Sequence, residues 1–370
     1  MDAVVVDADG HVLEPLSAFD GCPEGHRLRV TRDSYGLDHL FAGDQEILTV
    51  SLGKMGTPSS DMADLAHSPT YDEAQPGGFD PGIRLRDMDL EGIDVAILYP
   101  SLGLNFWGIN DPEAATSLAR AYNDWLASYC AADPARLYAA AMVPWQSVDA
   151  SLSELRRAHA LGFRAAFLRP NPCLGRTITH PAHEPFWALA EELGMTIGIH
   201  EATSMVIDTL ASDRKPFNPL VMHAVSHAFE QMLACAQLIT QGVMERHPNL
   251  RFVFLEAGGG WAPYWLYRLD EQVRGFGGFC PDMKLLPSEY FARQCWISFE
   301  IDEPSLPVLL PALGEERAVW GSDYPHHDST FPGAVHELRE TIAPLPDAAQ
   351  RKVLGSNALD CYDLRSRRCT

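Results

Sequence analysis

The chain has 370 residues, and its 50 acidic residues outnumber its 28 basic ones, which gives a formal net charge of −22. A hydrophobic fraction of 46% with 21% charged residues is typical of a globular protein and excludes a disordered chain. Because the excess of acid repels phosphate groups and anionic lipid headgroups, we expect neither nucleic-acid binding nor a role at a membrane surface.

The N-terminal sequence and the cysteines favour a cytoplasmic location. No apolar run approaches the roughly 20 residues that a membrane-spanning helix needs. The start of the chain, MDAVVVDADGH, carries acids where a signal peptide carries basic residues. The eight cysteines are scattered and form no CxxC pair. We therefore expect reduced thiols and no cysteine-based zinc site.

Short apolar runs alternate with amphipathic segments along most of the chain. Eight runs predict strands buried on both faces, as in a parallel sheet, and helical patterns lie between them. The predicted strands cover residues 4–6, 94–99, 137–143, 165–168, 195–200, 250–256, 294–300 and 317–320. Eight such units predict a single (β/α)8 TIM barrel. A doubly wound open sheet is the alternative, but no glycine-rich dinucleotide fingerprint follows the first strand.

Two long segments interrupt this alternation. Residues 12–78 are rich in Gly, Pro, Asp and Ser and poor in helical patterns. They leave the first strand at its carboxyl end, which is the active-site face of a barrel, so we interpret them as a lid insertion within one domain of residues 1–370. Residues 201–217 are a second candidate for a cap over the site.

Polar residues at the carboxyl ends of the predicted strands indicate a metal site. Asp9 and His11 lie two positions apart in a strand and therefore point to the same side. His200 and Asp323 follow two other strands, so all four side chains can share one cation, zinc or alternatively manganese. The competing interpretation makes Asp9 a turn residue and the histidines hydrogen-bonded core residues.

With these residues in place, the chain resembles the amidohydrolase superfamily, in particular the subgroup of aminocarboxymuconate-semialdehyde and resorcylate-type decarboxylases. The resemblance spans nearly the whole chain and is most specific at its two ends, where the proposed ligands lie. The segments that carry it include VVDADGHVLEP, LGFRAAFLRPNP, GIHEAT, SHAFEQM, FLEAGGGWAPYWLYRLDE and VWGSDYPHHD.

The sequence departs from the family pattern at three places. Asp9 replaces the first histidine of the family's D-x-H-x-H motif, as a carboxylate does in the resorcylate-type members. Glu256 stands where the family has a catalytic histidine, so either Glu256 or His227 of SHAFEQM takes that proton-transfer role. Arg169 follows the fourth strand, and no lysine is there to bridge two metals, which argues for a mononuclear centre.

The resemblance implies a metal-dependent decarboxylase of an unsaturated or aromatic carboxylic acid, with Asp323 as the proton shuttle beside the ion. It also implies a homodimer. A hydrolase of a C–C, ester, lactone or amide bond would use the same residues with metal-activated water. A barrel that only binds a ligand is the third possibility, and the intact donor residues argue against it.

Three further residues are candidates for substrate contact. Arg169 offers a guanidinium for a substrate carboxylate, with a structural ion pair as an equal alternative. Trp145 follows the third strand and is predicted either as a pocket wall or as plain packing. His326 of the SDYPHHD segment is predicted to reach the pocket or to orient Asp323.

Overall fold

The computed structural model describes residues 3–202, 206–210 and 218–365. Eight strands, which are β1 and β5 to β11 below, pair in parallel in their order along the chain, and β2 to β4 form a separate antiparallel sheet. The strands are β1 (Val6–His11), β2 (Leu28–Arg32), β3 (Asp38–Ala42), β4 (Gln45–Val50), β5 (Val95–Tyr99), β6 (Leu137–Met142), β7 (Ala165–Leu168), β8 (Thr196–His200), β9 (Phe252–Leu255), β10 (Cys295–Phe299) and β11 (Ala318–Trp320).

The parallel sheet curls into a barrel that is closed between its first and last strands. The segment after β11 hydrogen-bonds β1 at two points: Asp323 N donates to Asp9 O (3.0 Å) and His11 N donates to Tyr324 O (2.7 Å). Every residue of the eight barrel strands is buried, as strands covered on both faces require. The predicted (β/α)8 barrel is therefore confirmed.

Helices cover the outside of the barrel. They are α1 (Leu52–Met55), α2 (Pro81–Glu91), α3 (Pro112–Cys130), α4 (Val148–Ala160), α5 (Glu184–Leu193), α6 (Pro219–Thr240), α7 (Val243–Arg246), α8 (Trp261–Phe276), α9 (Pro287–Gln294), α10 (Leu306–Leu313), α11 (Ala334–Ile342), α12 (Asp347–Arg351) and α13 (Asn357–Cys361). Helices α6 and α7 are separate, because Gly242 between them adopts a left-handed backbone with φ 77°.

The insertion of residues 12–78 packs beside the barrel. It contains short 3-10 turns and the sheet β2–β3–β4, and it contacts α3 and the 3-10 helix Leu102–Gly108. Gln45 Nε2 donates to Gly108 O (2.7 Å), and His26 Nδ1 lies 3.1 Å from Ser117 Oγ. A lid function for this segment stays a prediction. The second predicted cap, residues 201–217, lies partly outside the described residues, at 203–205 and 211–217.

Within the described ranges, no helix combines the length and the apolar character that crossing a membrane demands. The seven described cysteines are all free thiols, and Cys369 lies outside the described residues.

Candidate active site

The barrel brings the predicted metal-binding side chains together at the carboxyl ends of its strands. Asp9 and His11 lie on β1, and His200 is the last residue of β8. Glu256 follows β9 directly, and Asp323 lies in the turn after β11. Since the carboxyl ends of parallel barrel strands meet at one face, five residues from distant parts of the sequence meet there.

Two imidazoles present the same ring nitrogen to the centre of this site. The Nε2 atoms of His11 and His200 lie 3.1 Å apart. His11 Nδ1 lies 2.8 Å from Pro100 O, and His200 Nδ1 lies 2.6 Å from Glu201 O. A carbonyl only accepts hydrogen bonds, so each Nδ1 carries a proton, and Nε2 is the nitrogen that the neutral ring can offer to a metal. This arrangement is typical of metal-binding histidines.

Carboxylates surround these nitrogens. Asp9 Oδ1 lies 3.7 Å from His11 Nε2 and 3.5 Å from His200 Nε2. Asp323 Oδ1 lies 3.2 Å from His11 Nε2, and Glu256 Oε2 lies 3.0 Å from His200 Nε2. Asp9 Oδ1, Glu256 Oε2 and Asp323 Oδ2 are buried without any hydrogen-bond partner in the part of the chain that the structure describes. Buried oxygens of this kind cost free energy unless a proton or a cation satisfies them, and the mixed nitrogen and oxygen donor set fits a divalent metal.

The acids of the site perturb one another. Burial and the nearby carboxylates of Asp328 and Glu256 raise the pKa of Asp323 well above its ordinary value. Burial likewise raises the pKa of Asp9 well above its ordinary value, with Glu256 adding to the effect and His200 opposing it. Glu256 behaves differently: although burial acts to raise its pKa, His200 and His227 hold it well below its ordinary value. The site therefore combines a readily ionised carboxylate with carboxyl groups that favour the proton.

Two of these carboxylates sit on an unusual backbone. Glu256 has φ 48° and Asp323 has φ 52°, in the left-handed region that side chains with a Cβ atom rarely adopt. Residues held in this region cost free energy and are found preferentially at functional sites. Glu256 directly follows β9 and Asp323 is the third residue after β11, so a turn at a strand end aims each carboxylate into the site.

A second layer of polar residues, which the sequence analysis missed, fixes this turn. Asp7 Oδ2 accepts from Ser322 Oγ (2.6 Å), and Asp7 Oδ1 accepts from Ser322 N (3.0 Å). Arg84 Nη1 donates to His11 O (2.8 Å) and to Tyr324 O (3.3 Å). A Cβ atom at position 10 would lie 2.5 Å from Arg84 Nη2, so the close approach requires Gly10. Only Asp7, within the DADGH motif, carried a signal in the sequence.

His227 and Glu256, the two candidates for the replaced family histidine, form a pair. His227 Nε2 lies 3.3 Å from Glu256 Oε1, and His227 Nδ1 lies 2.9 Å from His223 O. Burial opposes protonation of His227, but Glu256 and Glu201 outweigh it and raise its pKa to about 9. At neutral pH the pair is an imidazolium beside a carboxylate.

The structure places Arg169 and Trp145 in packing roles. Arg169 is fully buried, and its Nη2 donates to Glu201 Oε1 at 2.8 Å, so the structural ion pair is the observed alternative. Trp145 is 1% exposed and stacks on His183 with ring centroids 4.0 Å apart. Neither side chain lines the cavity beside the carboxylates. Substrate contact by these two side chains is thus not supported.

His326 contacts Asp323 and does not line the cavity. Its Nδ1 lies 2.8 Å from Asp323 Oδ1, and its Nε2 lies 2.7 Å from Ser101 Oγ. Of the two roles predicted for His326, the structure favours orientation of Asp323.

A cavity of about 370 Å³ opens beside the carboxylates. Its walls include Glu256 and Asp323 from the site, His223 and His227 from α6, and Asp328 from the loop after β11. This volume suits a small organic molecule.

Comparisons with known proteins agree with this geometry. A family model described as amidohydrolase matches residues 6–364. The chain is 27% identical over 290 residues to 2-amino-3-carboxymuconate-6-semialdehyde decarboxylase of Dictyostelium discoideum, and the alignment covers 77% of each chain. It is 29% identical over 322 residues to gamma-resorcylate decarboxylase of Rhodococcus jostii (strain RHA1), and this alignment covers 82% of this chain and 94% of that one.

Solved structures show the same fold. An amidohydrolase from Mycobacterium avium subsp. paratuberculosis K-10 superposes with a TM-score of 0.81 at 22% identity, over 98% of this chain and 100% of that one. A dihydroxybenzoic acid decarboxylase from Polaromonas sp. JS666, with bound manganese and the inhibitor 2-nitroresorcinol, gives a TM-score of 0.69 at 18% identity, over 98% of each chain.

Proposed function

The chain belongs to the amidohydrolase family, and from this premise we propose that it is a metal-dependent carboxy-lyase that decarboxylates an unsaturated or aromatic carboxylic acid. Both curated relatives described above are decarboxylases. The observation that carries the proposal is the set of unpartnered buried oxygens on Asp9, Glu256 and Asp323, which face the Nε2 atoms of His11 and His200 beside a cavity.

The ion would be held by Asp9, His11, His200 and Asp323, and Glu256 lies within reach of the same centre. When bound, a divalent metal supplies Lewis-acid polarisation of a substrate oxygen. Imidazole nitrogens suit the zinc that the sequence analysis favours, whereas carboxylate oxygens suit the manganese that the Polaromonas enzyme contains. The mixed donor set supports a site that either ion can occupy, and metal analysis of the purified protein distinguishes them.

Asp323 is the proposed proton donor. In the metal-free site, burial and the neighbouring carboxylates raise the pKa of Asp323, and its turn aims the carboxyl group into the site. A π electron pair of the substrate takes up the proton at the carbon that bears the carboxylate; the bond to the carboxylate then breaks, its electron pair restores the double bond and carbon dioxide leaves. Within the Glu256–His227 pair, the imidazolium of His227 carries the proton that can be transferred onward, while ionised Glu256 holds it in place.

The test is an assay of gamma-resorcylate and related aromatic and unsaturated acids, with the protein stripped of metal and reloaded with zinc or manganese. We expect metal-dependent release of carbon dioxide, with no solvent oxygen in the organic product when the reaction runs in labelled water. Incorporation of labelled oxygen without release of carbon dioxide would establish a hydrolase in place of the decarboxylase.

A homodimer is part of the proposal, and the exposed aromatic residues of α8 support it. Tyr264 is 63% exposed and Tyr267 is 68% exposed, and the two lie three positions apart on one face of the helix. Trp265 instead turns inward and donates from Nε1 to Met232 O of α6 (2.8 Å). Light scattering of the wild type and of the variant Tyr267→Glu tests this assembly, and a monomeric wild type would refute it.

A further inference from the structure

We propose that His223, His327 and Asp328 form a second divalent-cation site at the wall of the cavity, separate from the buried centre on β1 and β8. His223 is the fifth residue of α6, and the other two lie in the loop after β11. The role of this ion as an anchor for an anionic part of the substrate rests on the proposed function; the binding of the ion does not.

The three side chains already lie close to the separations that a shared ion requires. His223 Nε2 lies 3.7 Å from Asp328 Oδ2, and His327 Nδ1 lies 3.9 Å from Asp328 Oδ1. One ligand atom from each residue lies within 4.8 Å of the others. Ligands about 2.1 Å from a tetrahedral ion are roughly 3.4 Å apart, so small rotations bring these three into place.

His227 is the other imidazole near His223, and both of its ring nitrogens already face other groups. The two rings stack with centroids 4.1 Å apart. His227 Nδ1 faces the carbonyl oxygen of His223, and its Nε2 faces Glu256 Oε1. Because both ring nitrogens of His227 are engaged in this way, we assign His327 as the second imidazole ligand. His223 has its Nε2 directed at Asp328, which selects His327 and Asp328 as its co-ligands.

The charge of the cavity wall gives an independent reason for a cation. Among the described residues that line the cavity, five are acidic and none is a lysine or an arginine. The acidic residues are Glu256, Glu300, Asp302, Asp323 and Asp328. An ion in the buried centre would offset Asp323, and His227 faces Glu256, so Glu300, Asp302 and Asp328 are the lining carboxylates that remain. An anionic substrate would be repelled from this wall unless a second cation neutralises it.

Two imidazole nitrogens and one carboxylate oxygen are the ligands that zinc and similar ions accept. The side chains of His223 and Asp328 are 42% and 38% exposed, so further positions on the ion are open to water or to substrate oxygens. Three protein ligands with an open position are typical of an ion that binds a reactant, whereas purely structural zinc sites are closed.

The experiment is calorimetric titration of zinc into the full chain after chelator treatment, checked by elemental analysis after gel filtration. Wild type is compared with His223→Gln, His327→Gln and Asp328→Asn. The control is His336→Gln, which removes an 80% exposed histidine on α11. Circular dichroism confirms that each variant is folded. Asp9→Asn tests the buried centre separately.

We expect about two zinc ions per wild-type chain and per His336→Gln chain, and about one in each of the three cluster variants. Asp9→Asn is expected to weaken the other ion and keep this one. A wild type that binds only one ion, or a second ion that persists in His223→Gln and His327→Gln, would overturn the proposal. Because zinc content is measured without turnover, two bound ions in a chain that decarboxylates no acid would refute the proposed function and leave this site standing.

Discussion

At the scale of single residues, Asp323 is held by more constraints than any other group described at the site. Its backbone is in the left-handed region, His326 Nδ1 lies 2.8 Å from one carboxylate oxygen, and the other oxygen is buried without a partner among the described residues. A residue that is positioned this tightly and perturbed this strongly is expected to act in the chemistry.

Replacing Asp323 by Asn removes the proton donor and keeps the shape of the side chain. We expect kcat for decarboxylation to fall by about 10²–10⁴-fold, the range attributed to general acid catalysis, or further if metal binding is lost as well. Release of carbon dioxide measures the rate, and thermal unfolding checks the fold. The exposed turn residue Asp44 provides the matched control, Asp44→Asn, with unchanged turnover. Wild-type activity in Asp323→Asn would contradict the assignment.

Replacing Arg169 distinguishes a structural role of this residue from a role in substrate binding. The variant Arg169→Met leaves Glu201 as an uncompensated buried charge, so we expect the free energy of unfolding to fall by about 3–5 kcal/mol. Urea unfolding measures this, and Arg156→Met, at an exposed position on α4, is the control. The double variant Arg169→Met/Glu201→Leu is expected to recover part of the loss. An increase in KM without loss of stability would instead support the substrate contact that the sequence suggested.

The residues of the proposed metal centre were predictable because each ends an apolar run or follows one within a few positions. Asp9, His200 and Asp323 all have this local feature. Because the carboxyl ends of barrel strands meet at one face, the sequence also predicts that the three side chains lie close together. The bonds from Ser322 to Asp7 join residues 315 positions apart, and no local pattern indicates them. Trp145 had the same local signature as the site residues, yet packing against His183 decides its place.

At the scale of elements, an aromatic stack joins the end of β6 to the start of α5. The rings of Trp107, Trp145 and His183 lie in succession, with centroids 5.6 Å and 4.0 Å apart. Neither ring nitrogen of His183 has a hydrogen-bond partner within the described residues. Burial, together with Arg176, lowers the pKa of His183 to about 4. The stack is therefore stable only while the His183 ring is neutral.

Because His183 must stay neutral, we expect the free energy of unfolding to decrease at acidic pH. A histidine whose pKa is lowered on folding stabilises the protein fully above its unfolded pKa of about 6.5, and the contribution is lost as the pH falls toward 4. The full effect is about 3 kcal/mol. We expect His183→Phe to reduce the slope of unfolding free energy against pH between pH 6.5 and 4, while His336→Gln keeps it. Equal slopes in His183→Phe and wild type would show that another group titrates.

Elements with strong local patterns were predicted well, and those that depend on partners were not. Apart from β1, whose sequence is VDADGH, the strands of the barrel are largely apolar runs, whereas β2 has one buried residue followed by exposed and half-buried ones. Such a strand is recognisable only by its pairing with β3, and that pairing is a property of the folded chain. The short helix α9 was missed for a related reason, because its eight residues are too few for a helical period to stand out.

For the whole molecule, the net charge of −22 and the buried acids of the site both favour the binding of a cation. Folding gathers the carboxylates of Asp9, Glu256 and Asp323 in a small volume, which costs free energy unless a cation is present. The proposed metal ligands come from β1, β8 and the turn after β11, so a bound ion would tie the two ends of the chain to the middle of the barrel. Metal binding should therefore be visible in global stability as well as in activity.

Removing the metal with a chelator is expected to lower the free energy of unfolding of the whole barrel. An ion that binds the folded chain alone stabilises it by about 2.7 kcal/mol at a free concentration 100 times its Kd, and both zinc and manganese should restore the loss. Urea unfolding with chelator and after readdition of metal measures the difference. In Asp9→Asn the dependence on metal should shrink, because one ligand of the buried centre is gone, whereas Asp44→Asn should keep it in full. Superimposable curves for the stripped and reloaded wild type would mean that the donor set does not hold an ion in the folded protein.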